Sequence, residues 1–301
     1  MTAYRFGDRW FEAESRYLTL RLRESNDVLG DPAALRARLA EDGYLFVRAL
    51  HEPADVLTAR RDILGLMAEA GLLHLEGPHT EGVANPTVRE VATTSTRARE
   101  RFKTPSLRAV VYGSRLSGFF ARLLGGPVVS YAFQWFRAAG PGAASPIHGD
   151  APYMSRGTGH VYSCWTPIGD VPPEMGGLVV CLGSHRWERV RETYGRTDVD
   201  RDLTEGIFSR DAAELVDRFG GRWATAHFRA GDVVVFGLHL LHASLTNTTR
   251  CYRLSCDVRY QLAAEPMDER WAGTTPPGHS AFWAPDVRLE PVEVSRRRWG
   301  L

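Results

Sequence analysis

The sequence predicts an α+β protein with a mainly β core, and two observations along its 301 residues carry that prediction. Apolar residues recur at helical spacing as far as Leu124, and from Val128 onward the chain changes to short aromatic and β-branched runs separated by Gly and Pro. Helices therefore precede strands. That is the order of a fold whose N-terminal helices cover one face of an antiparallel sheet, and the strand pattern is that of a barrel or sandwich.

Taken in order, Asp31-Pro32 reads as an N-cap and first-turn proline opening a helix through Ala40, and Gly43 stops it. Tyr44-Leu45-Phe46-Val47-Arg48 reads as a strand. Val56, Leu57, Ile63, Leu64 and Met67 give residues 53–70 the spacing of a second amphipathic helix. A third is expected from about Ser106 to Leu124, closed by Gly125-Gly126-Pro127. The strands are expected at Val128 to Phe136, Ser145 to Ala151, Val161 to Ile168, Leu178 to Leu182, Asp232 to Phe236 and Leu254 to Tyr260. Between Trp187 and Trp223 lies a polar, helix-prone insertion, which is read as a lid because long loops on a barrel often serve as one. No repeat or low-complexity linker interrupts the chain. The expected organisation is one domain in three parts: a helical region with one or more edge strands over 1–127, a β core over 128–262 carrying the lid at 187–223, and an irregular tail over 263–301.

The formal charge of +1 provides no basic field for phosphate backbones or acidic membranes, so neither nucleic acid nor membrane is an expected partner. Lys103 is the only lysine, a coding bias with no bearing on binding. Met1 to Trp10 lacks a signal-peptide pattern, and no stretch reaches the roughly 18 apolar residues of a membrane span, so a cytoplasmic protein is expected. Cys164, Cys181, Cys251 and Cys256 show no C-x-x-C spacing and read as reduced thiols.

The chemistry concentrates in His148-Gly149-Asp150, with His242 following Asp150 by 92 residues and Arg253 following His242 by 11. Side chains alternate across a strand, so His148 and Asp150 project to one face while Gly149 turns away. His242 shares its face with Ser244, and His239 has the opposite parity. Two histidines and one carboxylate form the facial ligand set that leaves three positions open on non-haem Fe(II), where an organic co-substrate and dioxygen meet. After the turn Thr246-Asn247-Thr248-Thr249, Arg253 and Ser255 return along the neighbouring strand on a common face. A guanidinium there grips a carboxylate through two parallel hydrogen bonds, which points to 2-oxoglutarate.

On these residues the chain resembles the phytanoyl-CoA dioxygenase family of Fe(II)- and 2-oxoglutarate-dependent oxygenases. The likeness runs from Asp42 to Tyr260, weakest between 71 and 105. It is carried by Asp42-Gly43-Tyr44, His148-Gly149-Asp150, Ser163-Cys164-Trp165-Thr166-Pro167-Ile168, Pro173 through Leu178 leading to Gly183-Ser184-His185, Gly231 through Phe236, and His242-Ala243-Ser244 with Asn247 and Arg253. The resemblance implies a double-stranded β-helix, or cupin-like jelly roll, with the iron at one mouth. It implies His148, Asp150 and His242 as iron ligands, Arg253 and Ser244 on the distal carboxylate of 2-oxoglutarate, Trp165 lining that pocket, and Gln134 bonded to the keto acid near the metal. His185 becomes a turn residue. The family's E-N-G is Glu174-Met175-Gly176 in this chain, which leaves the metal set untouched.

Trp135, Tyr153, His160, Tyr162, Phe282 and Trp283 are the candidates for the substrate pocket. The implied reaction is hydroxylation of an unactivated C–H bond of a small molecule, with release of succinate and carbon dioxide. Desaturation, epimerisation and ring formation use the same cofactors. Related halogenases replace the carboxylate ligand by a small residue, and Asp150 argues against that chemistry. A cupin-like binding protein would have no use for all three ligands and Arg253 together, and a Zn(II) hydrolase would leave Arg253 and Trp165 without a purpose. A CoA- or carrier-bound substrate is not favoured, since only Arg296-Arg297-Arg298 offers CoA phosphates a basic cluster.

Overall fold

The computed structural model describes residues 2–74, 77–88, 100–280 and 287–301. Helix α1 (Pro32–Asp42) opens as its sequence requires: the Asp31 carboxylate accepts from the amides of Ala33 and Ala34. Gly43 ends it with φ 79°, and a side chain there would also collide with the His185 ring. Strand β4 (Tyr44–Val47) and helix α2 (Pro53–Glu69) follow. The single helix expected over 106–124 is two, α3 (Pro105–Tyr112) and α4 (Ser114–Leu124). The break is at Gly113, whose extended backbone would press any Cβ into the Ala109 carbonyl oxygen.

Three short strands precede α1 that periodicity does not reveal: the hairpin β1 (Ala3–Phe6) and β2 (Arg9–Glu12), and β3 (Leu18–Thr19). The expected strand over Val128 to Phe136 is broken into β5 (Val128–Ser130) and β6 (Trp135–Ala139). The remaining strands are β7 (Tyr162–Pro167), β8 (Leu178–Cys181), β9 (Trp223–Ala224), β10 (Val233–Gly237), β11 (His242–Ser244) and β12 (Arg253–Leu262).

One sheet runs β4-β10-β7-β12-β5, with β6 also on β12, and the other runs β11-β8-β9-β3. From β9 onward successive strands alternate between the two sheets, as a double-stranded β-helix requires. Parity then assigns the faces. Val233 and Val235 of β10, Cys164 of β7 and Leu254, Cys256 and Val258 of β12 pack beneath the four helices. Val234, Phe236 and Trp165 face inward, against Val180 and Phe228. By the same alternation Arg253, Ser255, Asp257 and Arg259 form a polar row inside the barrel, and all four are buried.

The stretch read as a lid is anchored in the core. It includes the short helices α6 (Glu188–Glu192) and α7 (Ala212–Asp217), and its Tyr194, Phe208 and Trp223 are buried in one cluster with Val179 of β8 and Ala243 of β11. The Phe208 amide also donates to Ile147 O at 2.8 Å. The tail is not irregular to its end: helix α8 (Val292–Trp299) sets the Trp299 ring 5.2 Å from that of Tyr194. Within the terminal basic run, Arg296 pairs with Glu214 and Arg298 with Glu290, so two of its three charges are already engaged. Phe208→Ala is expected to destabilise the protein by about 3–5 kcal/mol, the cost of emptying a closed aromatic site. Urea unfolding checks this, and a loss under about 1 kcal/mol would mean a peripheral segment.

No described helix is long and apolar enough to cross a membrane. No disulfide links the four cysteines.

Candidate metal centre

His148 and His242 are brought together by one antiparallel bridge, with N–H to O distances of 3.0 and 2.8 Å in the two directions. The segment 145–151 is otherwise not a strand. Directly after Asp150 the chain enters the short helix α5 (Ala151–Met154), so Asp150 reaches the site from a turn and not by strand alternation. Gly149 makes that turn. A Cβ there would stand 3.2 Å from Leu238 O, and the Ala151 amide holds that same carbonyl at 3.0 Å. From the other side the Tyr194 hydroxyl accepts from the Gly149 amide at 2.9 Å and donates to Gly206 O at 2.7 Å.

Each imidazole is fixed through Nδ1, His148 to Pro146 O at 2.8 Å and His242 to Leu240 O at 3.0 Å. Donation through Nδ1 leaves Nε2 as the basic nitrogen of both rings. The ring centroids lie 4.3 Å apart, and His242 Nε2 is 3.9 Å from Asp150 Oδ1. One donor atom from each of the three residues falls within 4.8 Å of the others, and among the described residues this is the one group of its kind. Burial and the neighbouring His242 push His148 down to about 3, so it is a neutral ligand at physiological pH. Burial alone would raise the Asp150 carboxyl; Arg259, His242, His148 and the Ser163 hydroxyl outweigh it and hold the group below the usual carboxylate range. Two neutral nitrogens and one carboxylate oxygen, gathered on one side, fit a divalent first-row metal and leave its other side free.

That side faces a small cavity lined by Trp165, Phe236, Ser244, Arg253 and the two histidines, among others. Arg253 is only 2% exposed and has no ion-pair partner among the described residues. Its Nη1 donates to Ser255 Oγ at 2.6 Å while its Nε has no partner. Burial, with Arg137 nearby, pushes the guanidinium down to about 10, so a carboxylate arriving there would be strongly welcomed. β12 belongs to the opposite sheet from β11, so Arg253 faces His242 across the barrel and does not return on a neighbouring strand.

Gln134 is fully buried just before β6 with both amide atoms unpartnered, and it is not among the residues lining this cavity. Tyr153 stands edge-on to His148 at 5.9 Å, and Trp135 packs on Trp271 at 4.8 Å. His160 and Tyr162 are elsewhere, in a separate cleft beside α1 and α4 that contains no metal-triad residue. His160 is mostly solvent-exposed there and pairs with Glu265 at 3.0 Å. Tyr162 lies at the start of β7, where its even parity turns it from the barrel interior toward the helices. Phe282 and Trp283 fall outside the described residues. His185 meets Ala40 O at 3.2 Å, in keeping with its place in a turn. Arg259, Arg137 and Asp257 escaped the sequence reading, while Ser163 entered it only within the family motif and Tyr194 only as an aromatic of the supposed lid. The first and third share the parity of Arg253, and a row of charges on a strand buried on both faces was the available signal.

A family model described as Phytanoyl-CoA dioxygenase (PhyH) matches residues 39–255. Among solved structures, the epimerase SnoN in complex with Fe3+, alpha ketoglutarate and nogalamycin RO is 21% identical with a TM-score of 0.55, over 87% of this chain and 94% of that one. The non-heme alpha ketoglutarate dependent carbocyclase SnoK from nogalamycin biosynthesis is 20% identical with a TM-score of 0.54, over 85% and 92%. EctD from S. alaskensis is 20% identical with a TM-score of 0.53, over 90% and 91%. At these identities the likeness is one of fold. No curated protein matches the chain.

Proposed function

This chain belongs to the phytanoyl-CoA dioxygenase family, and on that premise we propose that it uses Fe(II), 2-oxoglutarate and dioxygen to hydroxylate an unactivated C–H bond of a small molecule. The observation that carries this reading is one cavity lined both by the two histidines of the three-ligand metal set and by a buried arginine that has no ion-pair partner among the described residues. Iron and 2-oxoglutarate, when bound, supply an oxidant strong enough for C–H bonds, with succinate and carbon dioxide as by-products.

In this reading His148, Asp150 and His242 hold the metal. Arg253 and Ser244 take the distal carboxylate, and the Trp165 indole closes the pocket against water. Gln134 is retained as a candidate contact to the keto acid, since both of its amide atoms lack partners. Tyr153, whose ring stands edge-on to His148, and Trp135, over which the Arg259 guanidinium lies, are the candidate walls for the substrate in this reading. The chain's own task is orientation and exclusion of water.

Succinate release from the iron-loaded protein, screened over a metabolite library under isotopically labelled dioxygen, tests the proposal. Labelled oxygen is expected in the product in step with succinate. Succinate without oxygen in the product would overturn hydroxylation and leave desaturation, epimerisation or ring closure. Failure to bind 2-oxoglutarate would overturn the cofactor assignment itself.

A further inference from the structure

We propose that Arg259 and Ser163 are positioning residues that restrict Asp150 to coordinating through a single oxygen, an inference that rests on the iron and 2-oxoglutarate reading above. The two residues face each other as cross-strand partners on β12 and β7, so one rung of the large sheet carries both donors. Both point inward and both are buried. The Ser163 hydroxyl donates to Asp150 Oδ2, and Arg259 Nη2 reaches the same oxygen at 3.2 Å. The other oxygen, Oδ1, is the one turned to His242 Nε2. Arg259 is itself held, its guanidinium carbon 4.0 Å over the Trp135 ring and its Nη1 3.9 Å from Asp257.

A carboxylate beside a divalent ion can supply one oxygen or two. With Oδ2 engaged by two donors, only Oδ1 is free to ligate. Were Oδ2 released, it would swing onto the metal and take one of the three remaining positions, of which 2-oxoglutarate requires two and dioxygen the third. The rung therefore protects the co-substrate's place and adds little to metal affinity. That separates it from an ordinary outer partner, whose loss typically costs about 10–100-fold in metal affinity.

Co(II) serves as the probe, because its visible absorption reports coordination number without turnover. Cobalt and 2-oxoglutarate affinities are to be measured without substrate in the full-length wild type, Ser163→Ala, Arg259→Lys and Arg259→Gln. Ser163→Ala removes one donor with little change of volume. It and Arg259→Gln are expected to keep cobalt affinity within about threefold, well inside the loss of an ordinary outer partner. In the same two variants 2-oxoglutarate should bind about tenfold more weakly or worse, and the cobalt band should shift before 2-oxoglutarate is added. Arg259→Lys, which keeps a charged donor, should recover part of the loss. Unchanged 2-oxoglutarate affinity with an unchanged cobalt band would overturn the clamp. So would a parallel fall of cobalt affinity and thermal stability in Ser163→Ala, which would mark a structural role. A wild type that binds cobalt and no 2-oxoglutarate would overturn the underlying functional reading and the clamp with it.

Discussion

His148→Ala, Asp150→Ala and His242→Ala are each expected to lower succinate formation by more than about 100-fold and to weaken Fe(II) binding at least as far, beyond the usual cost of losing an outer partner. Each removes one of three protein donors, and no other group of metal-ligating side chains among the described residues can replace it. The next carboxylate, Asp257, is already paired with Arg137 at 3.2 Å. The Nδ1 bonds also preset both histidines with Nε2 as the ligating nitrogen, an arrangement no other described side chain near the cavity duplicates. The three variants should differ in stability. Asp150→Ala removes the nearer of the two carboxylates beside the buried Arg259 and leaves only Asp257 at 3.9 Å, and breaking a buried ion pair costs up to about 3–5 kcal/mol. The histidine variants strand no charge and should unfold near the wild type. Metal titration together with urea unfolding separates the two effects, and full activity in any of the three would sink the ligand assignment.

The fold was legible where local rules decide it. The Asp31 cap, the Gly43 stop and the change from helical to strand periodicity after Leu124 all stand in the structure. It was not legible where partners are distant in sequence. Tyr194, Phe208 and Trp223 are widely spaced among charges, so periodicity made their segment polar; they are buried against β8, β11 and α8, which no local window contains. The break at Gly113 was hidden because the apolar spacing continues across it.

The site shows the same division. Spacing brought His148, Asp150, His242 and Arg253 onto one list, yet strand alternation was the wrong reason for the first pair, since Asp150 stands at the entry to a helix. Arg259 was within reach of the parity argument used for Arg253 and Ser255. Its contact with Asp150 depends on the pairing of β12 with β7, and register between strands is a tertiary fact.

Arg253→Ala is expected to raise the 2-oxoglutarate requirement by one to three orders of magnitude, from about 1.5–3 kcal/mol for a charged hydrogen bond plus the cost of leaving a carboxylate unpaired. Iron affinity should barely move, because the polar contact Arg253 makes is with Ser255 and not with the triad. The ligand-free protein gives a second sign. In it the guanidinium is buried without an ion-pair partner, so removing it relieves a desolvated charge and costs little beyond packing. The variant should thus unfold near the wild-type temperature when alone and lose most of the stabilisation that 2-oxoglutarate confers by binding the folded state. Arg253→Lys should fall between the two, since a point charge replaces only part of a planar fork. An unchanged 2-oxoglutarate dependence would move the assignment to Arg137, which lines the same cavity, and not to Lys103, which is committed to Glu100 and lies 4.6 Å over the Phe133 ring.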